Sequence, residues 1–390
     1  MFNPESVRNA AELLALAVAS RPRPRIFAGP DGFVDEIIQV VDTRYDATRY
    51  DPIRTITDYA ARLAGAAGKS TNVEFVVREV KSGGNGPLMS EAFGRLGGYV
   101  KYVGAVGWPL LDPIFAHLKE YGEVVPIAPA AQTLAAEFED GKIMHGKHQS
   151  LKDITWDNLT ARMGGLDALD ASLRDADLVA LINWTMLPYL TDVFEGVLTR
   201  LPELGGDVPR FFFFDLCDPE KRTREDLVRA LDVIGAFAAH APNVVLGLNE
   251  KESLSVCSAL GLPTGADDAA ALIDRARRIA GATGATEVVI HPTRLAAAWS
   301  RAEGEGSTPG PYCAAPRLTT GAGDHFNGGY MFARLLGLSP ANATIIGKCV
   351  SGFYVREGRG PSAPEIVAFA ARWAAGTLDP WSGPIPARGD

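Results

Sequence analysis

Residues 319–329 read TTGAGDHFNGG and pass directly into YMFARLLG, residues 330–337, an apolar run with helical spacing. Gly321, Ala322 and Gly323 are small residues at the start of that helix. Their backbone N–H groups can approach an anion closely, and the helix dipole favours negative charge there. Asp324 falls in the first turn. A carboxylate beside a phosphate site cannot bind the phosphate itself, so its natural task is to accept a proton from an attacking hydroxyl. A plainer account has Thr320 capping the helix and Asp324 complementing its dipole. The spacing GxGxxxxG, closed by Gly328, differs from the GxGxxG of dinucleotide-binding folds, and Asp324 would repel a pyrophosphate. No GxxxxGK[ST] sequence occurs.

Upstream of this turn, short apolar runs rich in β-branched and aromatic residues recur at 25–28, 99–106, 178–182, 210–215, 243–248 and 287–290. Amphipathic helical patterns lie between them, at 87–96, 187–201, 224–239 and 266–280. Strand and helix alternating in this way predict an α/β fold with a parallel sheet covered on both faces. Two stretches break the alternation. Residues 34–81 contain two strand-like pieces around a helix near 56–66, and residues 132–153 read as a hairpin turning on Asp140-Gly141. Together they predict a small antiparallel sheet beside the core, a lid over a ligand site. Residues 304–310 read as a loop. The expected organisation is an N-terminal helix in residues 1–24, an α/β core in 25–390, and a lid from insertions at about 34–82 and 132–153.

Composition limits the function classes. Of 390 residues, 47% are hydrophobic and 22% charged, which suits a globular protein and excludes disorder or a fibre. Lys and Arg number 38 against 47 Asp and Glu, a net charge of −9 without long blocks of one sign, so a nucleic-acid partner is not expected. No apolar run approaches the length of a membrane span, and the acidic start of the chain does not suit a signal peptide. The four cysteines, Cys217, Cys257, Cys313 and Cys349, are far apart and form no zinc-site pattern. They predict reduced thiols and a cytoplasmic protein.

The 319–329 segment resembles the C-terminal signature of the ribokinase family, the pfkB-type carbohydrate kinases. Three further segments follow that family's order: Gly83-Gly84 opening SGGNGPLMSEAFGRLGGYVKYVGAVG, Asn249 to Glu252 (NEKE) after a strand, and GRGPSAP at 358–364. The resemblance spans about residues 27–364. It implies a three-layer, doubly wound, mostly parallel ribokinase-like sheet with a small β lid, and a kinase that moves the terminal phosphoryl group of a nucleotide, ATP first, to a hydroxyl of a sugar, polyol or nucleoside. By the same resemblance Asp324 is the base and the amides of Gly321, Ala322 and Gly323 form the anion hole. Asn249 and Glu252 would hold Mg²⁺ and its waters; read alone, they also fit a helix capping box. Asn249, His291, Thr293, Thr320 and Gly323 would meet the nucleotide. Asp31 and Asp35, at the carboxyl end of the first strand, would bind sugar hydroxyls with Gly83, Gly84 and Asn85; Asp31-Gly32 also suits a plain turn.

Several positions depart from the family pattern. Leu88 stands at the usual sugar-binding asparagine and Leu318 at the aspartate that opens the last signature, which leaves a monovalent-cation site open. Thr293 and Ala296 replace nucleotide-side glycines, and the lid insertion is long. These departures predict a divergent member with an unusual substrate. They also keep two rival readings in view: a non-catalytic sugar-binding regulator on the same fold, and an ADP-dependent sugar kinase. His145 and His148, Trp184, Lys221 and Arg222 are expected to be bystanders. The lid's open edges predict pairing of two copies into a homodimer.

Overall fold

The computed structural model describes residues 2–206 and 208–378. The chain opens with helix α1 (Pro4–Ser20) and strand β1 (Arg25–Gly29). It then runs through β2 (Phe33–Arg44), β3 (Tyr50–Pro52), α2 (Ile56–Ala64) and β4 (Phe75–Gly83). Helix α3 (Asn85–Arg95), β5 (Tyr99–Gly104) and β6 (Gly122–Pro126) precede the hairpin of β7 (Ala131–Phe138) and β8 (Gly141–Lys147). Next come α4 (Trp156–Arg162), α5 (Leu166–Asp175), β9 (Leu178–Leu181), α6 (Leu190–Arg200), β10 (Phe211–Asp215), α7 (Arg224–Ala236) and β11 (Asn243–Leu248). The last part holds α8 (Glu250–Leu260), α9 (Ala269–Thr283), β12 (Glu287–Ile290), β13 (Leu295–Ser300), β14 (Gly304–Pro309), α10 (Ala322–Leu335), α11 (Pro340–Glu357) and α12 (Ala363–Ala374).

Nine of these strands form the main sheet in the order β14-β13-β12-β11-β10-β9-β1-β5-β6. The seven from β12 to β6 are parallel to one another, and β13 and β14 add an antiparallel edge. Burial on both faces explains why the parallel strands are continuously apolar. Phe212 and Phe214 of β10 pack into the layer with α4 to α9, while Phe211 and Phe213 pack into the layer with α1, α3, α10, α11 and α12. Helix α1 buries Val7, Ala10, Ala11, Leu14 and Ala17 in that second layer.

Two expectations need correction. Residues 304–310 are not a loop: Gly304–Pro309 is edge strand β14, antiparallel to β13. Its glycines and proline are tolerated because the strand is at the edge, and at Gly306 a Cβ would lie 2.3 Å from Ala341 Cβ of α11. The five-stranded small sheet is mixed, not antiparallel, because β2 pairs in parallel with β7 over Phe33–Ile38. Its other pairings, β2 with β4 and β3 and β7 with β8, are antiparallel.

Helix α10, which carries the 319–329 signature, is anchored at its far end by a buried ion pair. Arg334 meets Glu287 of β12 at 2.8 and 3.0 Å, and Tyr330 donates to the same carboxylate at 2.7 Å. Glu303 reaches Arg334 from the β13–β14 turn at 2.7 Å. Glu287→Ala would leave a buried guanidinium with the rim carboxylate of Glu303 and the Leu338 carbonyl but without its buried counter-charge, so it is expected to lower unfolding stability by about 3 kcal/mol. Urea denaturation checks this, and wild-type stability would refute it.

Candidate active site

The carboxyl ends of β1, β9, β10 and β11 converge on the start of α10. At their centre is Asp31, just beyond β1 and fully buried. Its carboxylate accepts from the N–H groups of Asn85 and Gly86 at 2.9 and 2.8 Å and from Asn183 Nδ2 at 2.8 Å. Tyr102 donates to the Asp31 carbonyl. Both carboxylate oxygens are thus occupied by protein donors. Asp31, expected among the sugar contacts, fixes the start of α3 against the end of β9. Burial pushes its carboxyl up to about 6 even against these hydrogen bonds.

The start of α10 is left uncapped by side chains. Gly321 is the N-cap, with φ 88° and no side-chain cap, so the expectation that Thr320 caps the helix does not hold. Thr320 gives its carbonyl to Tyr354 Oη at 2.8 Å, and His325 Nδ1 meets the Gly321 carbonyl at 2.9 Å. The His325 and Tyr354 rings stack with centroids 3.6 Å apart. Burial pushes His325 down to about 4, so its imidazole is neutral and donates from Nδ1. These two residues hold the turn in shape. Of the three expected anion-binding amides, that of Ala322 is already committed to Thr319 O at 3.1 Å. Among the described residues no backbone acceptor faces the N–H of Gly321 or Gly323.

A cavity of about 630 Å³ opens on this turn. Of the expected residues it brings together Asn85, Asn249, Glu252, His291, Thr293, Ala322, Gly323 and Asp324. Asp31, Asp35, Gly83, Gly84, Thr320 and Gly321 are not on its wall. Asp324 is buried and accepts a hydrogen bond from the Asn85 side chain; burial, then the charge of Asp31, pushes its carboxyl well above the usual range.

Asn249 and Glu252 form the capping box of α8. Asn249 Oδ1 accepts from Glu252 N at 2.9 Å and Glu252 Oε2 from Asn249 N at 2.8 Å. Glu252 Oε1 also accepts from Asp218 N at 3.2 Å. These hydrogen bonds fix the pair in the capping box, beside the cavity where they were expected to hold Mg²⁺ and its waters. The free acceptors belong to β10 and α10. Asp215 Oδ1 and Asn327 Oδ1 are buried without a hydrogen-bond partner, while Asn327 Nδ2 reaches Asp215 Oδ2 at 3.3 Å. Burial and then the charges of Glu252, Asp324 and Asp31 raise the Asp215 carboxyl strongly. An all-oxygen set under mutual repulsion fits a hard divalent cation. Among the described residues no three His, Cys, Asp or Glu side chains are arranged to hold a metal by themselves, so phosphate oxygens and water would complete such a site.

A family model of prokaryotic ketohexokinases matches residues 5–373. The chain belongs to the prokaryotic ketohexokinase family. The ketohexokinase of Haloferax volcanii is 29% identical to this chain over 355 residues, covering 89% of this chain and 91% of its own. Solved structures show the fold. An Arabidopsis thaliana ribokinase complexed with ribose and ATP aligns with TM-score 0.59 at 15% identity, over 90% of this chain and 99% of that one. A putative ribokinase II from E. coli in complex with ATP and Mg²⁺ gives the same TM-score and identity, over 90% and 100%. This prokaryotic ketohexokinase-family chain is accordingly a carbohydrate kinase of ribokinase-like fold, and the regulator reading falls away.

The remaining residues of this family member fall into place around that centre. Asp35 sits on β2 and is not among the residues of the cavity wall, and its Thr133 hydrogen bond and the charges of Lys81 and Lys142 only partly offset a burial that raises its carboxyl. Gly83 is needed because Asp35 passes so close: a Cβ there would lie 2.2 Å from Asp35 Oδ2. Gly84 supplies the φ of 103° that starts α3. Trp184 is core, donating to Thr191 Oγ1 at 2.8 Å under the Arg222 guanidinium, and Lys221 pairs with Asp218. GRGPSAP links α11 to α12, with Ser362 and Glu365 forming the second capping box. Tyr354, His325, Asp215, Asn327 and Lys348 were not found from sequence. A Cβ on Gly321 would lie 2.8 Å from Leu88 Cδ1 and 3.1 Å from Tyr354 Oη, at a positive φ. Gly321→Ala is therefore expected to cost about 1–2 kcal/mol in thermal unfolding and to depress turnover with it. Unchanged melting and turnover would contradict the reading of the turn.

Proposed function

We propose that this chain transfers the terminal phosphoryl group of ATP to a hydroxyl of a ketohexose, with Asp324 as the general base. The observation that carries the reading is a buried carboxylate in the first turn of a helix whose leading amides have no side-chain cap. The Gly321 and Gly323 N–H groups would meet the transferred phosphoryl group, and the dipole of α10 would stabilise its charge. Asp324 would then lie beside the incoming hydroxyl, oriented by Asn85, whose own backbone is held by Asp31. Mg²⁺ would be held by Asp215, with Glu252 and Asn327 facing its waters; when bound it neutralises charge on the phosphates. The name of the Haloferax volcanii relative supports the ketohexose, and the ATP in both ribokinase structures supports the donor.

The raised carboxyl of Asp324 fixes the sign of the pH dependence. Below its pKa Asp324 carries a proton and cannot accept another, so kcat/KM falls on the acid side, and the fall begins above the ordinary carboxylate range. An acid limb at or below about 4 would contradict the buried-base assignment.

The function itself is tested by coupled ADP release with ATP and Mg²⁺ against fructose, other ketohexoses, aldohexoses and ribose. Turnover is expected to favour the ketohexoses. Asp324→Asn should lower kcat by about 10²–10⁴-fold. Preference for an aldose or nucleoside would overturn the substrate, and wild-type turnover by the variant would overturn the base.

A further inference from the structure

We infer that Lys348 is a specificity-determining residue for the donor nucleotide, its ammonium giving a hydrogen bond to a ring nitrogen of the purine base. The inference rests on ATP being the donor. Lys348 is on α11, buried, and lines the same cavity as Asp324. Its Nζ donates to the carbonyl of Pro292 and, at 3.4 Å, to that of Thr293. The Phe326 ring lies beneath it with its centroid 5.5 Å away.

An ammonium has three N–H groups, and two are used. Among the described residues no carboxylate forms an ion pair with Lys348, so its buried charge is supported by carbonyl dipoles and a ring face alone. That is a costly arrangement, and burial pushes the amine down to about 7. A buried cation whose remaining donor is on a cavity wall is suited to an acceptor brought by the ligand.

The position along α11 says which part of the ligand that is. Tyr354 of the same helix holds the Thr320 carbonyl at the start of α10, where the terminal phosphoryl group would sit. Lys348 lies six residues earlier, roughly 9 Å along the helix axis. Lys348, Thr293, Gly310 and Ser351 line the same cavity, and the proposal sets the nucleoside half toward them, with the phosphate end at Gly321 and Gly323. The base is thus brought to the ammonium. The carbonyls that hold Lys348 belong to the HPTRLA segment, where the expected glycines are replaced, so the altered segment and the lysine form one device. His291 beside it is kept neutral, since burial and Lys348 push it down to about 3, and it offers the ammonium no counter-charge.

The test is calorimetric binding of Mg·ATP without acceptor, compared with 1-deaza-, 3-deaza- and 7-deaza-ATP. The account expects one analogue to bind wild type about tenfold or more weakly than ATP, as for a lost hydrogen bond to a charged donor. Lys348→Met should weaken ATP about as much and no longer distinguish ATP from that analogue. A lysine that only braced the 292–293 segment would weaken ATP and all analogues alike in the variant, with discrimination kept, and that result overturns the proposal. So does equal binding of ATP and all three analogues by wild type, which needs no variant to fold. Equal binding of ATP and the analogues by wild type, with ketohexose turnover intact, would overturn the role of Lys348 alone; absence of both ATP binding and turnover in wild type would remove the donor reading as well.

Discussion

The catalytic end of the molecule depends on one buried carboxylate, Asp31, and the three donors that converge on it. The N–H groups of Asn85 and Gly86 begin α3, and Asn183 Nδ2 comes from just beyond β9. Without an acceptor there, those donors would be buried and unsatisfied, at a cost of about 1–3 kcal/mol each. The same group sets the chemistry next door. Its charge helps to raise the Asp324 carboxyl, and the Asn85 that it fixes is the residue that orients Asp324. Scaffold and base strength come from one interaction.

Asp31, Asp215, Glu252 and Asp324 crowd their charges into a small volume, and each has its carboxyl raised. Burial takes Asp31 from 3.8 to about 6 and Glu252 from 4.5 to about 7. Because the folded values lie above the unfolded ones, the folded chain retains protons that the unfolded chain releases. The resulting stability is present below about pH 4 and declines as pH rises through about 7. A divalent cation and its nucleotide would offset that decline by replacing protons with fixed charge.

The fold was largely legible because buried parallel strands write themselves as unbroken apolar runs, and all six read from the sequence became central strands. Strand β14 was hidden because its Gly, Ser, Thr and Pro composition suits a loop, and only its pairing with β13 shows otherwise. The α10 turn was legible because its requirement is local: small residues, then an acid. Tyr354 and Lys348 were not, since they act from α11, which only the tertiary packing brings to residues 291–294 and 319–324; His325 lies inside the turn's own sequence, but its stacking on Tyr354 could not be read there. Asp31 shows the opposite limit. Sequence located it at the strand end where ligands bind, but whether its oxygens face a ligand or the protein is decided by Asn85, Gly86 and Asn183. For Asn249 and Glu252 the capping box found by spacing is real.

The central claim is that the acceptor hydroxyl meets Asp324 while the transferred phosphoryl group meets the start of α10. A crystal structure of the ternary complex with fructose, Mg²⁺ and a non-hydrolysable ATP analogue tests it directly. The account predicts one sugar hydroxyl within about 3 Å of the Asp324 carboxylate, as for an O–H···O hydrogen bond, and the terminal phosphate on the amides of Gly321 and Gly323. A sugar whose nearest hydroxyl faced another residue, or a phosphate chain ending away from that turn, would contradict it.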